Sequence, residues 1–292
     1  MERRLFVKNS LFSLLAMTSL KDLKKFSDSL LSQEEKMPVL FVGHGSPMNA
    51  IEENEFSKTW ALMGQQLAKP AAILCVSAHW ETRGTFVTAM EKPQTIHDFG
   101  GFPQELFDVQ YPAPGQPGLA RQVKDTVKAA PVSLTEEWGL DHGCWSVIRK
   151  MYPAADIPVL QLSLDYTKPA QWHYNLAKEL AVLRSKGVLI VGSGNMVHNL
   201  GMVNWRNLNG PGYDWAIEIN EKFKTLISGN SHKELINYEA LGKAAQLAIP
   251  SPDHWLPLLY TLALREEKDS VSFFNDKTLA GSLSMTSVKI SS

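Results

Sequence analysis

Three histidines in this sequence lie where a buried apolar run ends. His44 directly follows MPVLFVG, His79 directly follows AAILCVSA, and His198 comes a few residues after GVLIVGSG. Loops at the carboxyl ends of strands in an open α/β sheet converge on one crevice, so these three side chains are expected to meet. Neutral imidazole is the commonest metal ligand in proteins, which favours a metal site there. A histidine that only binds a backbone carbonyl explains any one of them, but it explains all three poorly.

Two further histidines have neighbours that suggest a role. His254 lies in SPDHWLPLLYTLAL, where Ser251 or Asp253 is predicted to cap a helix and to place His254 in its first turn. His142 follows Asp141 in WGLDHGCWSV, a pair in which a carboxylate can orient an imidazole that acts as a base. A position on the surface explains each of these two histidines equally well.

The other three histidines receive simpler interpretations. His97 lies in TIHDFGGFP and is predicted to line a pocket beside Phe99 and Phe102. His173, in a helical pattern, and His232, in the polar run NSHKE, are predicted to be solvated.

Strand and helix patterns alternate along the chain and predict one α/β domain with a central mixed, largely parallel sheet flanked by helices. Continuous apolar runs rich in β-branched residues predict buried strands at 37–43, 71–78, 157–164 and 187–194. Helical patterns cover 56–68, 117–130, 169–187 and 214–229. The segment 80–116, rich in glycine, proline and aromatic residues, is predicted to form a lid or pocket wall.

The first 36 residues differ from the domain predicted over 37–292. They begin with RRLFVK from Arg3 to Lys8, which matches a twin-arginine export signal and would place the protein in the periplasm. The alternative is an amphipathic helix on the surface of a cytoplasmic protein, the reading favoured here because no A-x-A cleavage site follows.

Composition narrows the classes of partner. The 292 residues carry 29 Lys and Arg against 30 Asp and Glu, a formal net charge of −1 that argues against a nucleic-acid or anionic membrane surface. No apolar run reaches the ~18 residues needed to span a bilayer. The two cysteines, Cys75 and Cys144, are predicted to be reduced thiols. GxGxxG, GxxxxGK[ST] and GxSxG are absent, which disfavours a nucleotide site and a serine hydrolase.

Eight ordered motifs from residue 37 to the C-terminus resemble the DOPA 4,5-dioxygenase branch of the class III extradiol ring-cleavage dioxygenases. They are GHGSPMN (43–49), SAHW (77–80), TIHDFGGFP (95–103), YPAPG (111–115), DHGCW (141–145), SGNMVHNL (193–200), PDHWLPLLY (252–260) and GSLSM (281–285). Together they form a strong signal, although any one of them alone is weak.

The resemblance implies one divalent metal at the strand ends, held by His44, His79, His198 and His254. Four imidazoles suit tetrahedral zinc, which is expected to be found bound, whereas oxygenase turnover is expected to require Fe²⁺ because zinc has no redox chemistry. His142 is the expected base, with Asp141 or a backbone carbonyl as its orienter. His198 has an alternative role as an acid and base beside the metal.

The resemblance also implies the substrates, a small catechol and O2, and the opening of DOPA at the 4,5 bond to a seco-DOPA semialdehyde. No substrate-binding residue is assigned, although Trp80, Phe99, Phe102, Tyr111 and Trp145 are candidates for an aromatic pocket wall. The protein is expected to be a monomer or a small homo-oligomer. The alternatives are a zinc-dependent hydrolase and a non-catalytic metal-binding protein on the same fold.

Overall fold

A six-stranded sheet forms the centre of the protein in a computed structural model, which describes residues 36–292. The strands are β1 (Val39–Gly43), β2 (Ala72–Ser77), β3 (Glu81–Thr82), β4 (Thr85–Thr88), β5 (Val132–Thr135), β6 (Val159–Gln161), β7 (Leu164–Asp165), β8 (Val188–Gly194), β9 (Ser270–Phe274), β10 (Thr278–Leu279), β11 (Leu283–Ser284) and β12 (Ser287–Ser291). The order in the large sheet is β6-β2-β8-β1-β12-β9. Strands β6, β2, β8 and β1 are parallel, and β12 pairs antiparallel with both β1 and β9. The predicted mixed, largely parallel sheet is therefore confirmed.

Helices cover both faces of this sheet. They are α1 (Glu55–Gln66), α2 (Gln104–Phe107), α3 (Pro117–Thr126), α4 (His142–Met151), α5 (Ala170–Glu179), α6 (Asp214–Ser228), α7 (His232–Ile236), α8 (Lys243–Ala248) and α9 (Leu256–Ala263), with 3-10 turns at Pro47–Ala50, Leu180–Lys186, Leu200–Met202 and Tyr238–Leu241. None of the helices within 36–292 is long and apolar enough to span a membrane.

The alternation of side chains along β1 shows how the two faces are built. Phe41 belongs to the core shared with α5, α6 and α9, whereas Leu40 and Val42 belong to the core shared with α1 and α4. Because both faces are covered, every residue of β1, β2 and β8 is buried, as their unbroken apolar runs predict.

Two predicted elements are divided in the structure. The run predicted as one strand over 157–164 forms β6 and the start of β7, which pair with different strands. The helical pattern over 169–187 is α5 followed by the 3-10 turn, which ends at Gly187 in a left-handed conformation (φ 75°) that glycine adopts without a steric penalty. The predicted N-terminal signal or surface helix lies outside the described residues.

The prediction that His173 and His232 are solvated is wrong, because both side chains are buried. His173 lies within α5, where Nε2 pairs with the Asp165 carbonyl (3.2 Å) and Nδ1 pairs with the Tyr260 hydroxyl (3.1 Å). Burial lowers the pKa of His173 to about 4, although the Asp165 carbonyl acts in the opposite direction. His232 is in contact with the Tyr174 hydroxyl through Nδ1 (2.7 Å).

A buried ion pair joins three parts of the chain near the amino-terminal ends of β1 and β8. Arg184 has no exposed surface and forms two hydrogen bonds to Asp269, of 2.6 and 3.1 Å. Its remaining N–H groups donate to the carbonyls of Met37 and Leu264 (2.9 and 2.8 Å). Burial alone would raise the pKa of Asp269, but the hydrogen bonds from Arg184 and the Glu266 amide outweigh it and lower that pKa.

Replacing Arg184 with methionine should destabilise the protein by about 3 to 5 kcal/mol, because Asp269 then stays buried without its partner. Equilibrium unfolding in urea measures this loss. Lys69→Met is the matched control, since Lys69 forms an ion pair with Asp156 at an exposed site and its loss should change the urea midpoint little. Equal effects of the two substitutions on the urea midpoint would contradict the conclusion that Arg184 compensates a buried charge on Asp269.

The lowered pKa of His173 predicts a pH-dependent contribution to stability. In the unfolded chain His173 binds a proton below its ordinary pKa, whereas in the fold it stays neutral until about pH 4, so stability is lost as the pH falls. Between roughly pH 8 and pH 5, this effect of His173 should lower the free energy of unfolding by about 2 kcal/mol. The stability difference between wild type and His173→Gln should shrink by that amount in urea titrations, and a constant difference would contradict the prediction.

Candidate metal and active site

Five histidines from separate segments come together at the carboxyl-terminal edge of the central strands. His44 directly follows β1, His79 lies two residues after β2, and His198 lies four residues after β8. His142 is the first residue of α4, and His254 lies just before α9. The structure therefore joins the three strand-end histidines with the two whose positions the sequence left open.

The rings are in direct contact with one another. Nε2 of His44 is 3.1 Å from Nε2 of His79. The ring centre of His254 lies 5.2 Å from that of His44 and 5.0 Å from that of His79, and the His142 ring is 3.9 Å from the His79 ring. His198 stacks on His254 at 3.6 Å with an angle of 8°.

Two groups of possible ligand atoms lie within this cluster. One nitrogen from each of His44, His79 and His142 lies within 4.8 Å of the other two. A second group meets the same limit and contains His198, His254 and the carboxylate of Asp253. His142 therefore lies beside the strand-end pair.

Oxygen acceptors outside the cluster fix the ring protons of two of these histidines. The Ser193 hydroxyl donates to the Gly143 carbonyl (2.5 Å), so it accepts a hydrogen bond from Nδ1 of His44 (3.0 Å). Nδ1 of His254 is hydrogen-bonded to the carboxylate of Asp253. In both rings the proton is on Nδ1, and the lone pair of Nε2 remains for a ligand, as is usual for metal-binding histidines.

His142 is held by Asp98. Asp98 Oδ1 accepts from the His142 backbone amide (2.8 Å), and Oδ2 pairs with Nδ1 of the ring (2.9 Å). Burial would raise the pKa of Asp98, but the hydrogen bonds and charge of His142 lower it overall. The sequence analysis did not identify Asp98, although it directly follows His97 in TIHDFGGFP.

Asp141 does not orient His142. It is the N-cap of α4 and accepts from the Cys144 amide (3.0 Å), the Ser77 hydroxyl (2.7 Å) and the Gln161 amide (2.6 Å). Its carboxylate is therefore committed to fixing the start of α4 against β2 and β6, and the predicted pairing with the next residue is wrong.

The predicted helix cap near His254 is also wrong. The N-cap of α9 is Trp255, which makes no side-chain capping bond, and the Asp253 carboxylate pairs with His254 instead. Burial would raise the pKa of Asp253, but the hydrogen bond and charge of His254 hold it well below its usual value. His254 lies before the helix and is 7% exposed.

Burial keeps three histidines of the cluster, His44, His79 and His198, neutral. Desolvation is the main cause of the lowered pKa of His44 and His79, and the neighbouring imidazoles lower both further. The pKa of His198 falls to about 3, mainly through burial and then through His254. These rings are unprotonated near neutral pH, the state in which imidazole binds a metal.

This donor set fits one divalent transition-metal ion. Nitrogens that each lie about 2.0 to 2.1 Å from a tetrahedral ion are roughly 3.3 Å apart, close to the 3.1 Å between the Nε2 atoms of His44 and His79. Imidazole nitrogens suit Zn, Fe, Cu and Ni better than Mg or Ca.

Two glycines allow the segments that carry histidines to approach this closely. A Cβ on Gly143 would lie 2.5 Å from the Ser77 hydroxyl and 2.8 Å from the His79 ring. A Cβ on Gly194 would lie 2.2 Å from the carbonyl oxygen of His254. A side chain at either position would displace a histidine of the cluster.

Aromatic side chains of the 80–116 segment form a wall beside His142. The Phe99 ring lies edge-on to His142 at 5.5 Å and contacts Phe102 at 5.4 Å and Phe107 at 5.1 Å. His97 lies 5.7 Å from Phe99, as predicted, and its Nε2 pairs with the Val109 carbonyl (3.0 Å).

The other candidates for this wall are placed differently. Trp145 lies 6.3 Å from Phe99 and is fully buried in α4. Trp80 stacks on Trp138 at 5.7 Å, and Tyr111 is buried with its hydroxyl donating to the Tyr152 carbonyl (2.9 Å). Trp80 and Tyr111 are core residues by these contacts.

Known proteins match this chain over nearly the whole described domain. The family described as the catalytic LigB subunit of aromatic ring-opening dioxygenase matches residues 37–282. A 4,5-DOPA dioxygenase extradiol from Escherichia coli (strain K12) is 48% identical over 265 residues, covering 89% of this chain and 97% of that protein. A protein of the same name from Beta vulgaris is 34% identical over 271 residues, covering 89% of this chain and 99% of its own.

A crystal structure of an uncharacterized protein from Escherichia coli K12 is similar to this fold. It superposes with a TM-score of 0.76 at 43% sequence identity, and the match covers 87% of this chain and 100% of the other. The family match extends across β1, β2, β8 and α9, the elements that carry the histidine cluster. The chain therefore belongs to the LigB family of aromatic ring-opening dioxygenases, which are metal-dependent enzymes.

Proposed function

We propose that this protein is an extradiol dioxygenase that opens the ring of DOPA, or of a related small catechol, at the 4,5 bond to give a seco-DOPA semialdehyde. The observation that carries the proposal is the buried histidine cluster at the strand ends, with Nε2 of His44 and His79 3.1 Å apart and His142 beside them. Relatives that cover almost the same length of chain carry the name 4,5-DOPA dioxygenase extradiol, which supports the substrate.

His44, His79, His198 and His254 are the proposed ligands of one divalent metal. The Nδ1 protons of His44 and His254 are directed to oxygen acceptors, which supports their Nε2 atoms as donors. His198 stacks on His254. Its ring nitrogen forms a group with His254 and Asp253, separate from the group that contains His44 and His79. Zn²⁺ suits four imidazoles, while Fe²⁺ in the same site supplies the redox chemistry that brings the catechol and O2 to reaction.

The remaining residues of the site bind the substrate and move its protons. His142 is the proposed base: its Nδ1 proton is directed to Asp98, so Nε2 accepts a proton from a catechol hydroxyl. The wall of Phe99, Phe102 and Phe107 offers flat apolar surface to the catechol ring and excludes water from one side of the cluster.

Anaerobic loading of the metal-free protein with Fe²⁺, followed by DOPA and O2, should produce a yellow semialdehyde with one O2 consumed per ring opened. Absorbance and an oxygen electrode measure the two together. The same protein loaded with Zn²⁺ is the control and should bind the metal without consuming O2. If neither DOPA nor simpler catechols consume O2 with the iron-loaded protein, the proposed function is wrong.

Alanine substitutions of His142 and His198 should separate a base from a ligand. His142→Ala should keep its bound metal and lose roughly 10²- to 10⁴-fold in kcat, the range that general-base catalysis contributes. His198→Ala should weaken metal binding, which a competition titration with a chelator measures. A His198 variant with full metal affinity and no turnover would reassign His198 as the acid and base, and a His142 variant with full turnover would remove His142 from that role.

A further inference from the structure

We propose that Asp98 is the positioning residue that fixes the tautomer of His142 and thereby keeps its Nε2 able to accept a proton. This inference rests on the proposed function of His142 as the base. It assigns a role to a carboxylate of the motif TIHDFGGFP that had no assigned role in the sequence.

Asp98 holds His142 at two points of the same residue. Its Oδ1 atom accepts from the backbone amide of His142 (2.8 Å), and its Oδ2 atom pairs with the ring Nδ1 (2.9 Å). An ionised carboxylate has only acceptor oxygens, so the ring proton must be on Nδ1. Because the backbone amide and the ring are held together, the ring is fixed in rotation as well as in tautomer.

The same oxygen of Asp98 also faces a proposed metal ligand. Oδ2 lies 3.5 Å from Nδ1 of His79, whose Nε2 is directed to His44. The Nδ1 atoms of His79 and His142 thus both lie close to one carboxylate oxygen, in rings whose centres are 3.9 Å apart. Asp98 favours an outward-facing Nδ1 proton on both rings.

Asp141, the carboxylate next in sequence to His142, is not available for this role. Its oxygens accept hydrogen bonds from the Cys144 amide, the Ser77 hydroxyl and the Gln161 amide, whereas the His142 ring pairs with Asp98. The adjacent Phe99 packs edge-on against His142 at 5.5 Å, so residues 98 and 99 hold the imidazole by two different contacts.

Asp98→Asn tests the tautomer directly. The backbone amide of His142 is always a donor, so the asparagine oxygen is expected to face it and the asparagine NH2 group to face Nδ1. Nδ1 must then accept, and the ring proton moves to Nε2. Nitrogen-15 NMR of the metal-free full chain, with the His142 signal assigned by its absence in His142→Ala, should show a protonated Nδ1 in wild type and a protonated Nε2 in the variant. An unchanged tautomer would overturn the proposal.

Kinetics of the iron-loaded protein test whether the tautomer matters. Asp98→Asn should lower kcat, expressed per bound iron, by about 10- to 100-fold, with KM and melting temperature close to those of wild type. Asp108→Asn is the matched control and should keep full activity, because Asp108 is an exposed aspartate of the same segment that accepts a hydrogen bond from the Gln104 amide. An inverted tautomer without a fall in kcat would overturn the positioning role.

A double substitution distinguishes action through His142 from a separate effect. In the His142→Ala background, Asp98→Asn should cause no further loss of kcat, because the residue through which it acts is absent. A further loss of comparable size would show that Asp98 acts elsewhere. If the wild-type protein opens no catechol ring, the proposed function fails, while the NMR measurement on the metal-free chain still decides whether Asp98 fixes the tautomer.

Discussion

Five imidazole rings meet in one pocket, and the structure around them must leave ring lone pairs directed inward. Burial opposes a positive charge on any ring, and each protonated neighbour would oppose the next. The protons that remain need acceptors on the outside of the pocket. Ser193, Asp253 and Asp98 provide them for His44, His254 and His142 respectively.

Two of these acceptors, Ser193 and Asp98, are far in sequence from the histidines that they hold. Ser193 lies within β8, and Asp98 lies in the irregular segment between β4 and α2. The order of the strands therefore sets which histidines meet, and the acceptors Ser193 and Asp98 set which ring nitrogen of His44 and His142 is available. Metal binding and proton transfer at the proposed site depend on both the strand order and these acceptors.

The part of the site that depends on strand direction could be predicted from the sequence. His44, His79 and His198 follow unbroken apolar runs, and parallel strands bring their carboxyl ends to one edge. His254 has no such signal, because it precedes a helix, and only the family resemblance identified it. Asp98 had no signal either, since the contact that gives it meaning joins two segments 44 residues apart.

The predictions from sequence are wrong or incomplete where the hydrogen-bond or strand partner of a residue is distant in the chain. His173 and His232 were expected to be solvated, but inside the protein Nδ1 of His173 pairs with the Tyr260 hydroxyl and Nδ1 of His232 pairs with the Tyr174 hydroxyl. Strands β9 and β12 were not predicted, because they pair through long-range antiparallel contacts and their short alternating patterns are weak signals. Local periodicity carries no information about such partners.

The close approach of Gly143 to His79 and of Gly194 to His254 affects how the pocket responds to change. The main chain at Gly143 and Gly194 packs so closely against His79 and His254 that not even a Cβ fits, so neither histidine segment has room to move toward its glycine. The aromatic wall beside His142, in contrast, is carried by a segment outside the sheet. An engineered change of substrate therefore has room in that wall, whereas a change of metal would have to be accommodated by the ion's own coordination preferences.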